Sequence, residues 1–205
     1  MIDKVSRKIV GYLLKGTNAD EEKREVLLFG VTRIVEDIPK TIGIVLIGIV
    51  LNILKEMLVV TAVVALYKTF VGGVHAKTNL GCFFSSVVFY LVTIYVPKIL
   101  VLENEAYVLM LMLNYVFSVY CIWVYAPADV PEIPKIDKML RRKTKITAII
   151  VLNVIYLITL LLLKDRTIQD LIMISIFSIN LMTTRTMYKL FKNEYGYETY
   201  FPYCE

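Results

Sequence analysis

Long apolar runs separated by short charged or polar segments are the feature that most constrains this chain of 205 residues. A helix needs about 20 mostly apolar residues to cross a hydrocarbon core ~30 Å thick. Six runs approach that length, at approximately 38–54, 57–74, 82–102, 106–126, 146–163 and 168–184. The pattern predicts an all-α polytopic membrane protein with about six transmembrane helices, the first two forming a tight hairpin around Lys55–Glu56.

The composition supports this fold class. Hydrophobic residues make up 58% of the chain and charged residues only 20%. A soluble domain of this size could not hide so much apolar surface, whereas lipid solvates it. We therefore predict a single membrane domain over residues 1–205, with amphipathic N-terminal helices at 1–37, six spans within 38–184 and a Tyr-rich cytoplasmic tail at 185–205.

The N-terminal segment predicts helices of a different kind. Its apolar residues recur at helical spacing with basic residues between them, as in Val5, Ile9, Val10, Leu13 and Leu14. This pattern is typical of a helix lying at the membrane interface. After the break at 16–18, a second helix is predicted from Asp20 to Glu36. It could equally be an ordinary amphipathic packing helix.

The positive charge of the chain predicts its orientation. The polar loop at 127–145 contains Lys135, Lys138, Arg141, Arg142, Lys143 and Lys145. Loops rich in Lys and Arg face the cytoplasm. Counting spans from this loop places both termini and residues 75–81 on the cytoplasmic side of the cell membrane. Basic residues confined to loops and ends do not indicate nucleic-acid binding.

The single histidine, His75, lies seven positions before Cys82 in the sequence FVGGVHAKTNLGC. An imidazole can act as the base that activates a thiol nucleophile near neutral pH. On one straight helix the two residues would be about 10 Å apart along the axis, too far for proton transfer. A working pair therefore requires residues 78–81 to turn, with Cys82 opening the third span, where a helix N-terminus favours the thiolate.

Residue types alone leave other interpretations of these two residues open. A lone His near an interface can be a simple polar residue, and a lone Cys in a span can be small apolar filler. One His and the three scattered cysteines Cys82, Cys121 and Cys204 do not form a zinc-ligand set or a disulfide framework. We predict no metal and no cofactor.

The stretch GGVHAKTNLGCFFSS resembles the signature of the accessory gene regulator B family, in which GG-x-H-A is followed by Cys seven residues after the His. LLFGVTRIVEDIPKTIGIVLI is similar to the family's N-terminal region, and YAPADVPEIPKI to its Ala-Pro-Ala-Asp loop. The resemblance implies a membrane cysteine endopeptidase of Gram-positive quorum sensing. Such an enzyme removes the C-terminal tail of a short precursor peptide and promotes closure of its thiolactone or lactone ring.

Carried to this chain, the resemblance makes His75 and Cys82 the catalytic residues. A third residue orienting His75 is not identifiable, with Asn79, Ser85 and Ser86 as candidates. The chain has Lys68–Thr69 where the family often has two arginines. Lys keeps the charge without the bidentate fork of Arg. Lys68 could bind the substrate or extend its ammonium to the interface.

The basic residues Arg141, Arg142 and Lys143 also have two interpretations. They could bind the acidic tail of the precursor peptide, or they could only orient the chain beside anionic lipid. The latter interpretation is sufficient by itself and is the one we favour. The predicted partners are the precursor peptide and the lipid bilayer, and the sequence leaves a homodimer open.

The main alternative is a non-enzymatic membrane protein, such as a peptide exporter or partner. A transporter would be expected to have polar or charged groups in the middle of its spans. Here these are few, namely Asn52, Asn114, Asn153 and Asn180. Such residues more often bridge packed helices. Substitution Cys82→Ser would separate the two classes, because only an enzyme needs the thiol.

Overall fold

The structure is a computed structural model that describes residues 2–15, 20–76, 78–100, 103–131 and 136–200. Within these ranges the regular structure is helical, as the composition predicts. The elements are α1 (Ile2–Leu13), α2 (Glu21–Val50), α3 (Leu54–Val63), a π segment (Val64–Lys68), α4 (Thr69–Val71), α5 (Asn79–Ile99), α6 (Asn104–Tyr125), α7 (Lys138–Leu161), α8 (Arg166–Leu181), α9 (Arg185–Leu190) and α10 (Gly196–Tyr200).

Three of the described helices are long and apolar enough to cross a membrane: α5, α6 and α7. They coincide with the third, fourth and fifth predicted spans. The sixth predicted span corresponds to α8, which has 16 residues. The second is divided between α3, the π segment and α4. The all-α fold class is therefore confirmed, and the count of six spans stays a prediction.

Residues 1–54 and 55–205 form two compact units. In the first unit, α1 packs against α2. The chain of α2 runs unbroken for 30 residues through Pro39, where we predicted a helix ending near Glu36 and a separate span beginning at 38. Pro39 cannot donate the backbone hydrogen bond that continues a helix. The helix-forming residues on both sides nevertheless carry it past this position, so the predicted break is absent.

The turn after α2 also differs from the prediction. It lies at residues 51–53, with Asn52 at a left-handed φ of 54°. We predicted it at Lys55–Glu56, but both of these residues belong to α3. Asn is one of the few non-glycine residues that adopts this conformation readily, because its side chain is short and polar. The predicted hairpin of the first two spans stays a prediction.

In the second unit, α3, the π segment, α6, α7 and α8 surround one apolar core, which includes Tyr67, Ile122, Leu152 and Ile176. The π segment places Tyr67 fully inside this core. Its hydroxyl donates to Asn180 Oδ1 at 2.9 Å. Asn180 Nδ2 in turn donates to Ser118 Oγ at 2.8 Å. A polar link thus joins three elements within the core.

The other polar residues in the middle of the predicted spans serve similar purposes. Asn114 Nδ2 donates to the Met173 carbonyl at 2.8 Å, which joins α6 to α8. Tyr115 donates to Asn153 Oδ1 at 3.0 Å, which joins α6 to α7. The expectation that such asparagines bridge helices is therefore confirmed for Asn114, Asn153 and Asn180. Asn52 occupies the turn instead.

Residues 185–200 fold onto the second unit, although we predicted a tail. Tyr188 and Tyr195 are buried, and they pack with Val74 and Ala128 in a second apolar cluster. Their rings stack with centroids 4.0 Å apart. The sequence suggested an interfacial tail because tyrosine suits both environments. Cys204 lies outside the described residues.

Candidate functional site

His75 belongs to a non-helical stretch between α4 and α5, which we call the histidine segment (residues 72–76). The histidine segment forms an isolated parallel bridge with the loop after α6, through Gly72 and Ala128. The Gly73 N–H donates to the Ala128 carbonyl at 2.9 Å, and the Ala128 N–H donates to the Val71 carbonyl at 2.9 Å. The GG and Ala-Pro-Ala-Asp motifs of the sequence are therefore neighbours in space.

Gly72 is required by this close approach. Its φ is +81°, a conformation that side chains rarely adopt. A Cβ atom there would also lie 2.2 Å from the Ala128 carbonyl oxygen, well inside van der Waals contact. Only glycine lets the two backbones meet, which explains the first glycine of the GG pair in physical terms.

Two further contacts hold the histidine segment. The Val74 N–H donates to the Met182 carbonyl at the end of α8, at 3.0 Å. Asn193 Nδ2 donates to the His75 carbonyl from the segment between α9 and α10. The His75 side chain itself is exposed. Its backbone is therefore anchored while the imidazole stays accessible.

Cys82 lies in the first turn of α5, which we call the cysteine turn (residues 78–82). Thr78 caps the helix, since its Oγ1 accepts from the Gly81 N–H at 3.0 Å. The Cys82 N–H donates to the Thr78 carbonyl at 2.8 Å. The helix begins at Asn79, three residues before Cys82, so the thiol lies near a helix N-terminus as predicted. Residues 79–81, however, form the first residues of this helix, where we predicted a turn. Its side chain is half-buried.

Lys68 is the charged neighbour of this thiol. It ends the π segment, and its side chain is half-buried. The amino group of Lys68 lies close enough to Cys82 for the charges of the two groups to interact. The structure thus brings together two of the residues selected from the sequence.

Five of the basic residues predicted in the 127–145 loop lie instead in the first turns of α7, namely Lys138, Arg141, Arg142, Lys143 and Lys145. Lys135 lies outside the described residues. The Asp137 side chain caps this helix by accepting from the Met139 N–H at 2.8 Å. Arg142 and Lys143 are exposed on α7. A capped start explains how a helix can form where the sequence indicated a loop.

Arg141 makes a contact that the sequence analysis missed. Its Nη1 pairs with Asp129 Oδ2 at 3.0 Å, and the Asp129 side chain is only 1% exposed. The guanidinium also lies 4.2 Å from the centroid of the Tyr197 ring. Asp129 is the acidic residue of the Ala-Pro-Ala-Asp motif, and this motif was the only feature of the sequence that pointed to it. The spacing of residues in the sequence could not show that Asp129 pairs with Arg141.

Tyr188 connects this ion pair to the C-terminal residues. Its hydroxyl donates to the Asp129 carbonyl at 2.9 Å. Burial, followed by the nearby Tyr195 and Asp129, raises the pKa of Tyr188 well above its ordinary value. The hydroxyl therefore keeps its proton and remains a donor. Tyr195 is held similarly, donating to the Thr183 carbonyl at 2.6 Å.

The candidates for a third catalytic residue lie at the start of α5. Asn79 is its first residue and is exposed, and Ser86 is half-buried. The Ser85 hydroxyl donates to the Cys82 carbonyl at 3.0 Å, a contact within its own helix. In the parts of the chain that the structure describes, no three His, Cys, Asp or Glu residues gather as metal ligands would.

These observations define a helical membrane protein in which a histidine lies just before the start of a long apolar helix and a cysteine lies in the first turn of that helix. The family model described as accessory gene regulator B matches residues 6–186. This chain therefore belongs to the accessory gene regulator B family, as the resemblance indicated. No solved structure matches it.

Several relatives support the assignment. The putative AgrB-like protein 1 of Clostridium perfringens is 27% identical over 161 residues, covering 78% of this chain and 84% of the relative. The putative AgrB-like protein of Clostridium acetobutylicum is 26% identical over 176 residues, covering 84% and 82%. The accessory gene regulator protein B of Staphylococcus aureus strain Newman is 28% identical over 151 residues, covering 74% and 77%.

Proposed function

We propose that this protein is a cysteine endopeptidase of the cell membrane, with Cys82 as nucleophile and His75 as base. Its substrate is the precursor of a quorum-sensing peptide, from which it removes the C-terminal tail. The observation that carries this proposal is the cysteine turn, which places a half-buried thiol in the first turn of α5. Family membership supplies the substrate class.

The reaction begins when His75 takes the proton of the Cys82 thiol. The thiolate sulfur attacks the scissile carbonyl, a C–S bond forms, and the peptide C–N bond breaks. The protonated His75 returns its proton to the departing amine, which leaves as the N-terminus of the tail. A thioester between Cys82 and the rest of the peptide remains.

The thioester conserves the activation that ring closure needs. A Cys or Ser side chain of the same peptide gives its proton to His75 and attacks the thioester carbonyl, so that a thiolactone or lactone forms, the C–S bond to Cys82 breaks and Cys82 leaves as the thiolate. Attack by water would instead give a linear acid. Exclusion of water at the membrane boundary favours the internal nucleophile.

The basic residues have assigned roles in this proposal. Lys68, which lies near Cys82, binds the substrate beside the nucleophile. Arg142 and Lys143, exposed on α7, orient the chain beside anionic lipid and are also accessible to an acidic tail of the precursor peptide. Arg141 contributes less to substrate binding, since its guanidinium is already paired with Asp129.

The proposal extends to location and assembly. The protein spans the cell membrane with His75, Cys82 and both termini on the cytoplasmic side, where the precursor peptide is made. The concentration of Lys and Arg in residues 135–145 supports this orientation. A homodimer is compatible with these features.

The test is co-expression in membranes with the short precursor peptide encoded beside this protein, followed by mass measurement of the peptide products. Wild type is expected to release the tail, and Cys82→Ala and His75→Ala are expected to reduce release by at least about a hundredfold. Val88→Ala, at an exposed position of the same helix, is the matched control and should retain most activity.

If Cys82→Ala and His75→Ala both process the peptide as wild type does, Cys82 is not the nucleophile. The exporter or partner function would then replace the enzyme.

A further inference from the structure

We propose that Asn193 is a positioning residue for His75, so that the C-terminal residues complete the active site. This inference rests on the proposed function, because it concerns the same pair of residues. The observation is the hydrogen bond from Asn193 Nδ2 to the His75 carbonyl, between residues 118 positions apart. The sequence alone gives no reason to connect Asn193 with His75, because Asn193 lies far along the chain from the GGVHAKTNLGC signature.

The other contacts of the histidine segment differ from this one. Its bonds to Ala128 and Met182 join backbone to backbone and act at Gly73 and Val74. Asn193 instead supplies a side-chain donor, and it acts on His75 itself. Because the imidazole is exposed, packing restricts it less than the backbone does. The carbonyl contact therefore restrains the backbone from which the ring extends.

The position of Asn193 is itself well determined by the end of α9. The Asn193 N–H donates to the Tyr188 carbonyl at 2.9 Å, and the Lys192 N–H donates to the Lys189 carbonyl at 3.1 Å. Lys192 has a left-handed φ of 54°. Together these are the two bonds and the left-handed residue of a Schellman motif, which reverses the chain after a helix. The reversal directs Asn193 back toward the histidine segment.

The helix that carries this motif is anchored in turn. Tyr188, which accepts the Asn193 N–H through its carbonyl, is 2% exposed. Its hydroxyl bonds to the Asp129 carbonyl, one residue after the Ala128 that pairs with Gly72. The loop after α6 therefore holds the histidine segment twice, once directly and once through Tyr188 and Asn193. A displaced Asn193 would loosen the second connection only.

The test measures the reactivity of Cys82 without any peptide. The full-length protein carrying Cys121→Ala and Cys204→Ser, in membranes, is treated with iodoacetamide across a range of pH, so that Cys82 is the one thiol labelled. His75→Ala is expected to slow alkylation at pH 7 about tenfold and to move the rise in rate to higher pH, because a nearby imidazole promotes the thiolate. Lys68 is intact in every variant.

Asn193→Asp keeps the shape of the side chain but replaces the donor with an acceptor. Asn193→Ala removes the donor without adding charge. Both are expected to slow alkylation at pH 7 about threefold to tenfold, in the same direction as His75→Ala. Asn193→Gln keeps a hydrogen-bond donor and should slow alkylation less than the other two substitutions. The matched control is Glu194→Gln, an exposed neighbour, expected to stay within about twofold of the parent.

The outcomes separate the two proposals. If His75→Ala slows alkylation but Asn193→Asp and Asn193→Ala do not, the positioning role is wrong and the pair of His75 and Cys82 stands. If His75→Ala itself changes nothing, the proposed pair is wrong and the role of Asn193 falls with it. If the Asn193 variants lower thermal stability but keep the parent's rate profile, the contact is structural only, which also overturns the inference.

Discussion

His75 and Cys82 lie seven positions apart, yet different kinds of contact hold them. The bonds of the cysteine turn are local, since the partners of Gly81, Cys82 and Ser85 lie within four residues along the chain. The histidine segment instead bonds to Ala128, Met182 and Asn193, from three distant parts of the chain.

This difference shows how the candidate site is built. A helix start needs only a capping residue and the helix that follows, so the backbone around Cys82 forms with α5. The backbone around His75 has no regular structure of its own, and its polar groups need partners elsewhere. The backbone of the proposed base therefore depends on the tertiary fold, while that of the proposed nucleophile depends on it less. Changes at distant contacts should then affect the histidine segment more than changes in the cysteine turn.

The largest effect is expected from Gly72→Ala. The added Cβ would lie 2.2 Å from the Ala128 carbonyl oxygen at a strained φ of +81°, so the bridge must break. We expect a loss of about 2–4 kcal/mol in stability and at least a tenfold loss of peptide-tail release. Thermal unfolding in detergent and the mass assay measure the two effects.

The matched control is Gly30→Ala within α2, where a Cβ would meet no atom within 4 Å. It should be neutral or stabilising by about 0.5–1 kcal/mol. Equal behaviour of the two variants would mean that the bridge does not restrain the histidine segment.

The next effect is expected from Asp129→Asn, which removes the charge that pairs with Arg141. Because the Asp129 side chain is 1% exposed, loss of the pair should destabilise the protein by about 3 kcal/mol. Thermal unfolding in detergent gives the change. Glu198→Gln, which disrupts the exposed pair with Arg185, is the comparison and should cost less than about 1 kcal/mol. A smaller effect from Asp129→Asn than from Glu198→Gln would contradict this view of the loop.

The smallest effect is expected from Thr78→Ala, which removes the cap of α5. The start of α5 should lose about 1 kcal/mol of stability, which is measured as faster hydrogen exchange at the Gly81 amide. Thr78→Ser keeps the hydroxyl and should restore protection. Glu103→Gln is the control, because Glu103 precedes α6 without making a side-chain cap. If Thr78→Ala reduced activity more than Gly72→Ala, the cysteine turn would be the more sensitive region and our comparison would be reversed.

Features that depend on neighbouring residues were predictable. The helices α5, α6 and α7 follow from apolar length, but the start of α5 at Asn79 was not predicted, since we expected residues 78–81 to turn. The packing of residues 185–200 was not predictable either, because tyrosines suit an interface as well as a core, and only the packing of Tyr188 and Tyr195 decides between them. We predicted Arg141 in a loop because a run of basic residues is typical of loops, whereas Arg141 lies on α7.

The sequence by itself determined the all-helical membrane class, the family and the choice of His75 and Cys82, since each depends on composition, run length or a short motif. Only the tertiary structure decided which residues hold the histidine segment. Gly72 meets Ala128, and Asn193 reaches the His75 carbonyl, through contacts between residues far apart in the chain. Such contacts leave no periodic or compositional signal, because each is a single pairing that exists only after the helices have packed.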